Sequence, residues 1–152
     1  MGRRWRGLAT KLIAWSLHEK TDTTYDQFNY TDILRDLLEE KPFKIVRIWP
    51  FLTILNAAAA ANRATLFLMK NITNIPPLAE GNQDTWREDI FIATWPDGTL
   101  DYTYIARLGE HITEFVSPWS FDAEDTLNVR FDFAGPSAGV EFQLIVIMEV
   151  MY

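Results

Sequence analysis

The sequence predicts an all-β sandwich of about eight antiparallel strands. The plainest sign is the run 140–152. Its even positions (Val140, Phe142, Leu144, Val146, Met148, Val150 and Tyr152) are all apolar, while Glu141, Gln143 and Glu149 mark the opposite face. A period of two is a strand signal, and at ~3.3 Å per residue this run spans roughly 40 Å. Ile145 and Ile147 interrupt the polar face, so one face is core throughout and the other is covered only in its middle. Such a strand belongs inside a sheet, because a long apolar strand at an edge invites aggregation. Its second face then needs a cover of its own, either the N-terminal segment or another copy of the chain. The other two observations are further runs of alternating, aromatic or β-branched residues, and turn signals roughly every ten residues between them.

Taken in order, residues 3–18 place Trp5, Leu8, Leu12 and Trp15 at spacings of three and four, with Arg4 and Lys11 on other sides. That spacing predicts a basic amphipathic helix or a partly ordered arm. Residues 1–22 are read as this arm and 23–152 as a single sandwich domain. Residues 25–30, with three aromatics, form a short first strand. Thr31 is the expected N-cap of a short helix with Asp32 in its first turn and Ile33, Leu34, Leu37 and Leu38 as its apolar side. Pro42 ends it. Residues 43–55 make a long strand bent or bulged at Pro50. The alanine-rich residues 57–61 read equally as a helical turn or a plain connection. Residues 64–71 form the next strand, and 72–87, with Pro76-Pro77, an irregular loop. Residues 89–95 and 101–107 are two strands joined through Pro96-Asp97-Gly98. Another runs over 111–117 and stops at Pro118. Leu127, Val129, Phe131 and Phe133 alternate with Asn128, Arg130 and Asp132 before Gly135-Pro136 turns the chain into its final strand. Eight antiparallel strands in a sandwich make a jelly roll or a close relative.

With 152 residues, 48% of them hydrophobic and 14% aromatic, the chain is one domain with a sizeable core and not a disordered polymer. It has no cysteine, which excludes disulfides, thiolate metal sites and cysteine nucleophiles. The net charge of −7 is unevenly placed. Arg3, Arg4, Arg6, Lys11 and Lys20 against Glu19 give residues 1–20 a charge of +4, leaving −11 on the rest. A basic arm on an acidic body is a first hint of function. Lys11 interrupts the apolar run 8–17 and no cleavage pattern follows, which argues against a signal peptide. No run reaches the ~18 uncharged apolar residues of a membrane span, so a soluble protein is expected.

The order of aromatic strand, short helix and long strand carries a family likeness. Phe28-Asn29-Tyr30-Thr31-Asp32-Ile33-Leu34, the stretch 35–42, and then Phe43-Lys44-Ile45-Val46-Arg47-Ile48-Trp49-Pro50 resemble the start of small single jelly-roll viral capsid proteins, of the small single-stranded DNA or RNA virus type. Phe43, Ile45, Ile48 and Pro50 stand at the positions of that pattern. The basic arm, the proline-containing loop and the long closing strand extend the likeness over most of the chain. The resemblance implies two four-stranded sheets, with the last strand lying beside the first. It also implies a structural protein that self-assembles in many copies into a closed shell and resides in the virion, soluble in the host cell before assembly. Arg3, Arg4, Trp5, Arg6 and Lys11 would then contact neighbouring subunits or genomic nucleic acid, the cations meeting phosphates and Trp5 stacking on a base.

Little chemistry stands beside this. His18 and His111 have no partners at ligand spacing, and no phosphate loop, nucleophile elbow or zinc-type histidine pair occurs, so no metal, cofactor or catalytic residue is expected. Asp122, Glu124 and Asp125 read as a solvated turn, with an oxygen-ligand calcium site as the other reading. Trp86, Trp95 and Trp119 read as core or interface packing, the alternative being a carbohydrate- or ligand-binding module that uses them as a platform.

Overall fold

Alternation along the strands sorts the side chains into two packed layers. The computed structural model describes residues 10–21, 25–56, 63–72, 85–86, 90–95, 113–134 and 140–152. They form β1 (Thr10–Lys20), β2 (Tyr25–Tyr30), the single helical turn α1 (Arg35–Leu38), β3 (Phe43–Asn56), β4 (Arg63–Lys70), β5 (Thr85–Trp86), β6 (Ile90–Trp95), β7 (Thr113–Phe121), β8 (Leu127–Ala134) and β9 (Glu141–Met151). One sheet has the order β1-β9-β3-β7 and the other β2-β8-β4-β6-β5, with all neighbours antiparallel. The two-residue β5 only extends an edge. Apart from it, the sandwich is two four-stranded sheets in jelly-roll order.

β9 lies where its alternation requires, between β1 and β3. Phe142, Leu144, Val146, Met148 and Val150 are all fully buried against the second sheet. There Phe142 meets Phe28 and Phe131 at ring-centroid distances of 5.4 and 5.2 Å. Burying each such side chain contributes about 1.5–3 kcal/mol.

The first strand begins earlier than the helical spacing predicts. Residues 10–20, assigned above to the arm or amphipathic helix, form β1, so 25–30 is the second strand. The alternation Ile13, Trp15, Leu17 prevails over the spacing of three and four, because β9 offers eleven successive partners from Thr10↔Met151 to Lys20↔Glu141. Ile13 and Leu17 are buried, whereas Leu12 is 64% exposed.

The helix differs too. Thr31 does not cap it: Leu34 stands at the N-cap without a side-chain bond, and Asp32 takes a positive φ of 52°. The Asp32 N–H is held instead by Asn128 Oδ1 at 2.9 Å. Leu34 and Leu38 are buried, and Leu37 is half-exposed. In β3 the irregularities fall between Ile45 and Arg47 and between Ile54 and Asn56, not at Pro50. Pro50 lies beyond the last described β3–β7 pair, Ile48↔Thr113. Pro118 does not stop β7. It sits in the interval between Glu114 and Trp119 where the β3–β7 register shifts, so its missing N–H costs no ladder bond. The expected strand 101–107, the alanine run and His111 lie outside the described residues.

Phe142→Ala should destabilise the fold by about 3–5 kcal/mol, read as a lower urea midpoint with an unchanged slope.

Candidate functional site

The two outer faces of the sandwich are unlike. On the second sheet, Phe67, Met69, Ile90 and Ile92 are at most 1% exposed although they point away from the main core. Beside them Arg130 grips Asp132 through two bonds of 2.7 and 2.8 Å and lies 5.7 Å from the Phe67 ring centroid. β6 is buried at all six positions. Over β4 and β6 this outer face is closed.

The outer face of the first sheet is half open. Register places Ala14, Ile147 and Trp49 in one row across three strands, and Ser16, Ile145 and Phe51 in the next. Ala14 and Ser16 are exposed, and the four large side chains are half-buried. Charge pairs bracket the patch. At one end Arg47 sits opposite Glu149 at 3.8 Å and 5.3 Å over the Trp49 ring. At the other, His18 Nε2 is 3.4 Å from Glu141. Such partly exposed pairs contribute little to stability, and they frame the apolar patch with charged side chains.

The acidic cluster is a structural turn. The Asp125 carboxylate accepts from Asn71 Nδ2 at 2.7 Å and from the Asp122 N–H at 2.7 Å, with Lys70 Nζ at 3.6 Å. Asn71 holds a positive φ of 58°, and its Oδ1 accepts the Thr126 N–H at 2.8 Å. Arg35 donates to the Asp125 carbonyl while its Nε lies 3.5 Å from Asp32. Buried Asn128 completes the clamp by donating to the Ile72 carbonyl at 2.9 Å. The Asn71 amide first, then the Asp122 N–H and Lys70, outweigh burial and hold the Asp125 carboxyl below its ordinary pKa. Asp122 and Glu124 point into solvent, and among the described residues no three metal-binding side chains gather.

Of the arm residues, Arg3, Arg4, Trp5 and Arg6 lie outside the described residues, and Lys11 is exposed on β1 opposite Val150. Trp95 and Trp119 are buried, the first edge-on to Phe131 and the second against Phe115 and Phe121, so neither offers a platform for a sugar. The side chain of Trp86 is outside the described set. Trp49, Phe51, Asn71 and Asn128 were not singled out by sequence reasoning. The alternation Arg47, Trp49, Phe51, Thr53 is the signal that points to the first two. An open cleft of about 300 Å³ at the ends of β3, β7 and β9 is lined by Lys44 and Asp122 among the described residues. Among the described residues no helix is long and apolar enough to cross a membrane.

Nearly the whole chain aligns with capsid proteins of small viruses. The decameric BFDV capsid protein is 10% identical over 95% of this chain and 98% of its own, with a TM-score of 0.44. The 60-mer BFDV capsid protein is 10% identical over 95% and 93%, with a TM-score of 0.48. The extra small virus (XSV) VLP of the giant freshwater prawn Macrobrachium rosenbergii is 10% identical over 94% and 79%, with a TM-score of 0.39. No protein-family model matches the chain, and no curated protein matches its sequence. The jelly-roll assignment stands on the strand order itself.

The depressed Asp125 pKa has a definite sign. The group stabilises the fold above the ordinary value of 3.8 and loses that contribution as pH falls through its lower folded-state value. Asp125→Asn should therefore flatten the acid limb of the stability profile and cost about 1–2 kcal/mol at neutral pH, both measured by urea unfolding across pH 2–7.

Proposed function

We propose that this chain is a structural capsid protein that self-assembles in many copies into a closed viral shell, with its jelly-roll domain as the tile. The inequality of the two outer faces carries this reading. One face is buried over β4 and β6, while the other keeps Trp49, Phe51, Ile145 and Ile147 half-exposed in adjoining rows on two central strands. A contiguous apolar patch rimmed by charge marks a protein-contact surface. The chemistry favours assembly over catalysis, since the polar cluster around Asp125 spends its groups on a turn. In this reading the protein resides in the virion. The arm (Arg3, Arg4, Trp5, Arg6 and Lys11) reaches a neighbouring subunit or the genome. A carbohydrate- or ligand-binding module is less well supported, because Trp95 and Trp119 are core residues.

Purified protein should elute as a large species and give closed particles in negative stain. Protein that stays monomeric across salt and pH would sink the proposal. Ile145→Glu should keep the strand-rich circular dichroism of the parent and raise the concentration needed for assembly about tenfold or more. Replacing Arg3, Arg4 and Arg6 together by Ala should strip co-purifying nucleic acid and flatten its salt dependence. Unchanged nucleic-acid content would assign the arm to subunit contacts.

A further inference from the structure

We infer that the free edge of β1 is a two-fold contact, pairing antiparallel with β1 of a second copy to join two four-stranded sheets into one of eight. The inference rests on the self-assembly reading and names one of its contacts. Among the described strands, four edge the two sheets: β1, β7, β2 and β5. Three are blunted, as natural edges usually are. β7 carries Pro118 within a break of register, β2 has six residues and β5 two. β1 has eleven residues in unbroken register with β9, and among the described residues no strand pairs with its other side. Its middle, Leu12-Ile13-Ala14-Trp15-Ser16-Leu17, has no charge and no proline, and Leu12 is 64% exposed. An edge this long, regular and uncharged is a template for another strand.

The charges on β1 specify the partner. Two copies aligned over the full strand about a two-fold axis at Trp15 place each residue opposite the one whose number completes thirty. Lys11 then faces Glu19 of the other copy, and by symmetry the same pair recurs at the far end. Ile13 faces Leu17, both inward on the sandwich side. Ala14 faces Ser16 on the outer side, and Trp15 faces itself. Opposite charges directly across an antiparallel pair are favourable, and like charges are not. Shifting the pairing by two residues either way loses both Lys11–Glu19 matches. Glu19 keeps its bond from the Tyr30 hydroxyl, 3.3 Å from Oε1, and that contact holds β1 to β2 at this end.

The chain has no cysteine, so introduced thiols report the contact alone. In the full-length protein, Ala14→Cys with Ser16→Cys should oxidise to covalent dimers through two symmetric disulfides, because directly opposed Cβ atoms are close enough to bridge. Each single variant should stay largely uncross-linked, since each then faces a residue with no thiol. Lys11→Glu should weaken dimer formation by about tenfold, and Lys11→Glu with Glu19→Lys should recover it to within about threefold of the parent. A parent protein that assembles while the double-cysteine variant fails to cross-link, or cross-links no better than Ala14→Cys alone, overturns the edge contact and leaves the shell reading standing. Failure of the charge swap to recover dimerisation likewise overturns it. A parent that is monomeric throughout removes both.

Discussion

The burial of one face of β9 under the second sheet is the interaction on which the rest of the molecule depends. Phe142, Leu144, Val146, Met148 and Val150 form a continuous apolar row, and both β1 and β3 pair along this strand, β1 with no other partner among the described residues. A one-residue slip would turn all five side chains outward and bring Glu141, Gln143 and Glu149 into the core. Because side-chain direction fixes register so strongly here, β1 and β3 inherit their facing from β9. The outer patch of Trp49, Phe51, Ile145 and Ile147 follows from the same alternation. The inner face is filled by the core, and the outer face stays half-exposed.

The fold was legible where a strand carries its own evidence. β4, β6, β8 and β9 are bounded runs of alternating or β-branched residues, and each falls within a residue or two of its expected place. β1 was not legible, because Trp15 belongs at once to a helical spacing with Leu8 and Leu12 and to a strand alternation with Ile13 and Leu17. Only the partner strand at the other end of the chain decides between them, and local pattern does not contain that partner. β7 was cut short at Pro118 for a related reason: a proline ends a regular ladder, but not one already interrupted. The helix cap failed because Asn128, far along the chain, binds the Asp32 N–H that a local cap would leave free.

The candidate site was legible in part. Ile145 and Ile147 announced an outer face needing cover, and Lys11 lies exposed on the first strand as a charged member of the basic segment. The other half of the patch went unread, since residues 43–55 were recognised as a strand without sorting Trp49 and Phe51 from the inward Ile48 and Leu52. The acidic cluster shows the converse. Three carboxylates close in sequence suggest a cation, whereas the fold brings Asn71, Lys70 and Arg35 from distant segments to meet Asp125. Long-range partners consume the chemistry that the local composition advertises.

The chain order of the first sheet carries a consequence for when the β1 edge forms. Among the described strands β1 is made first and β9 last, yet each pairs with the other along its whole length. Until β9 exists, β1 has no sheet beneath it and presents no flat, ordered edge. In the proposed assembly, the surface that a second subunit would read therefore appears only when the sandwich has closed. Non-local closure of this kind is slow compared with local turns and helices. In the proposed assembly, a subunit that offers its contacts only at the end is protected from joining half-made neighbours.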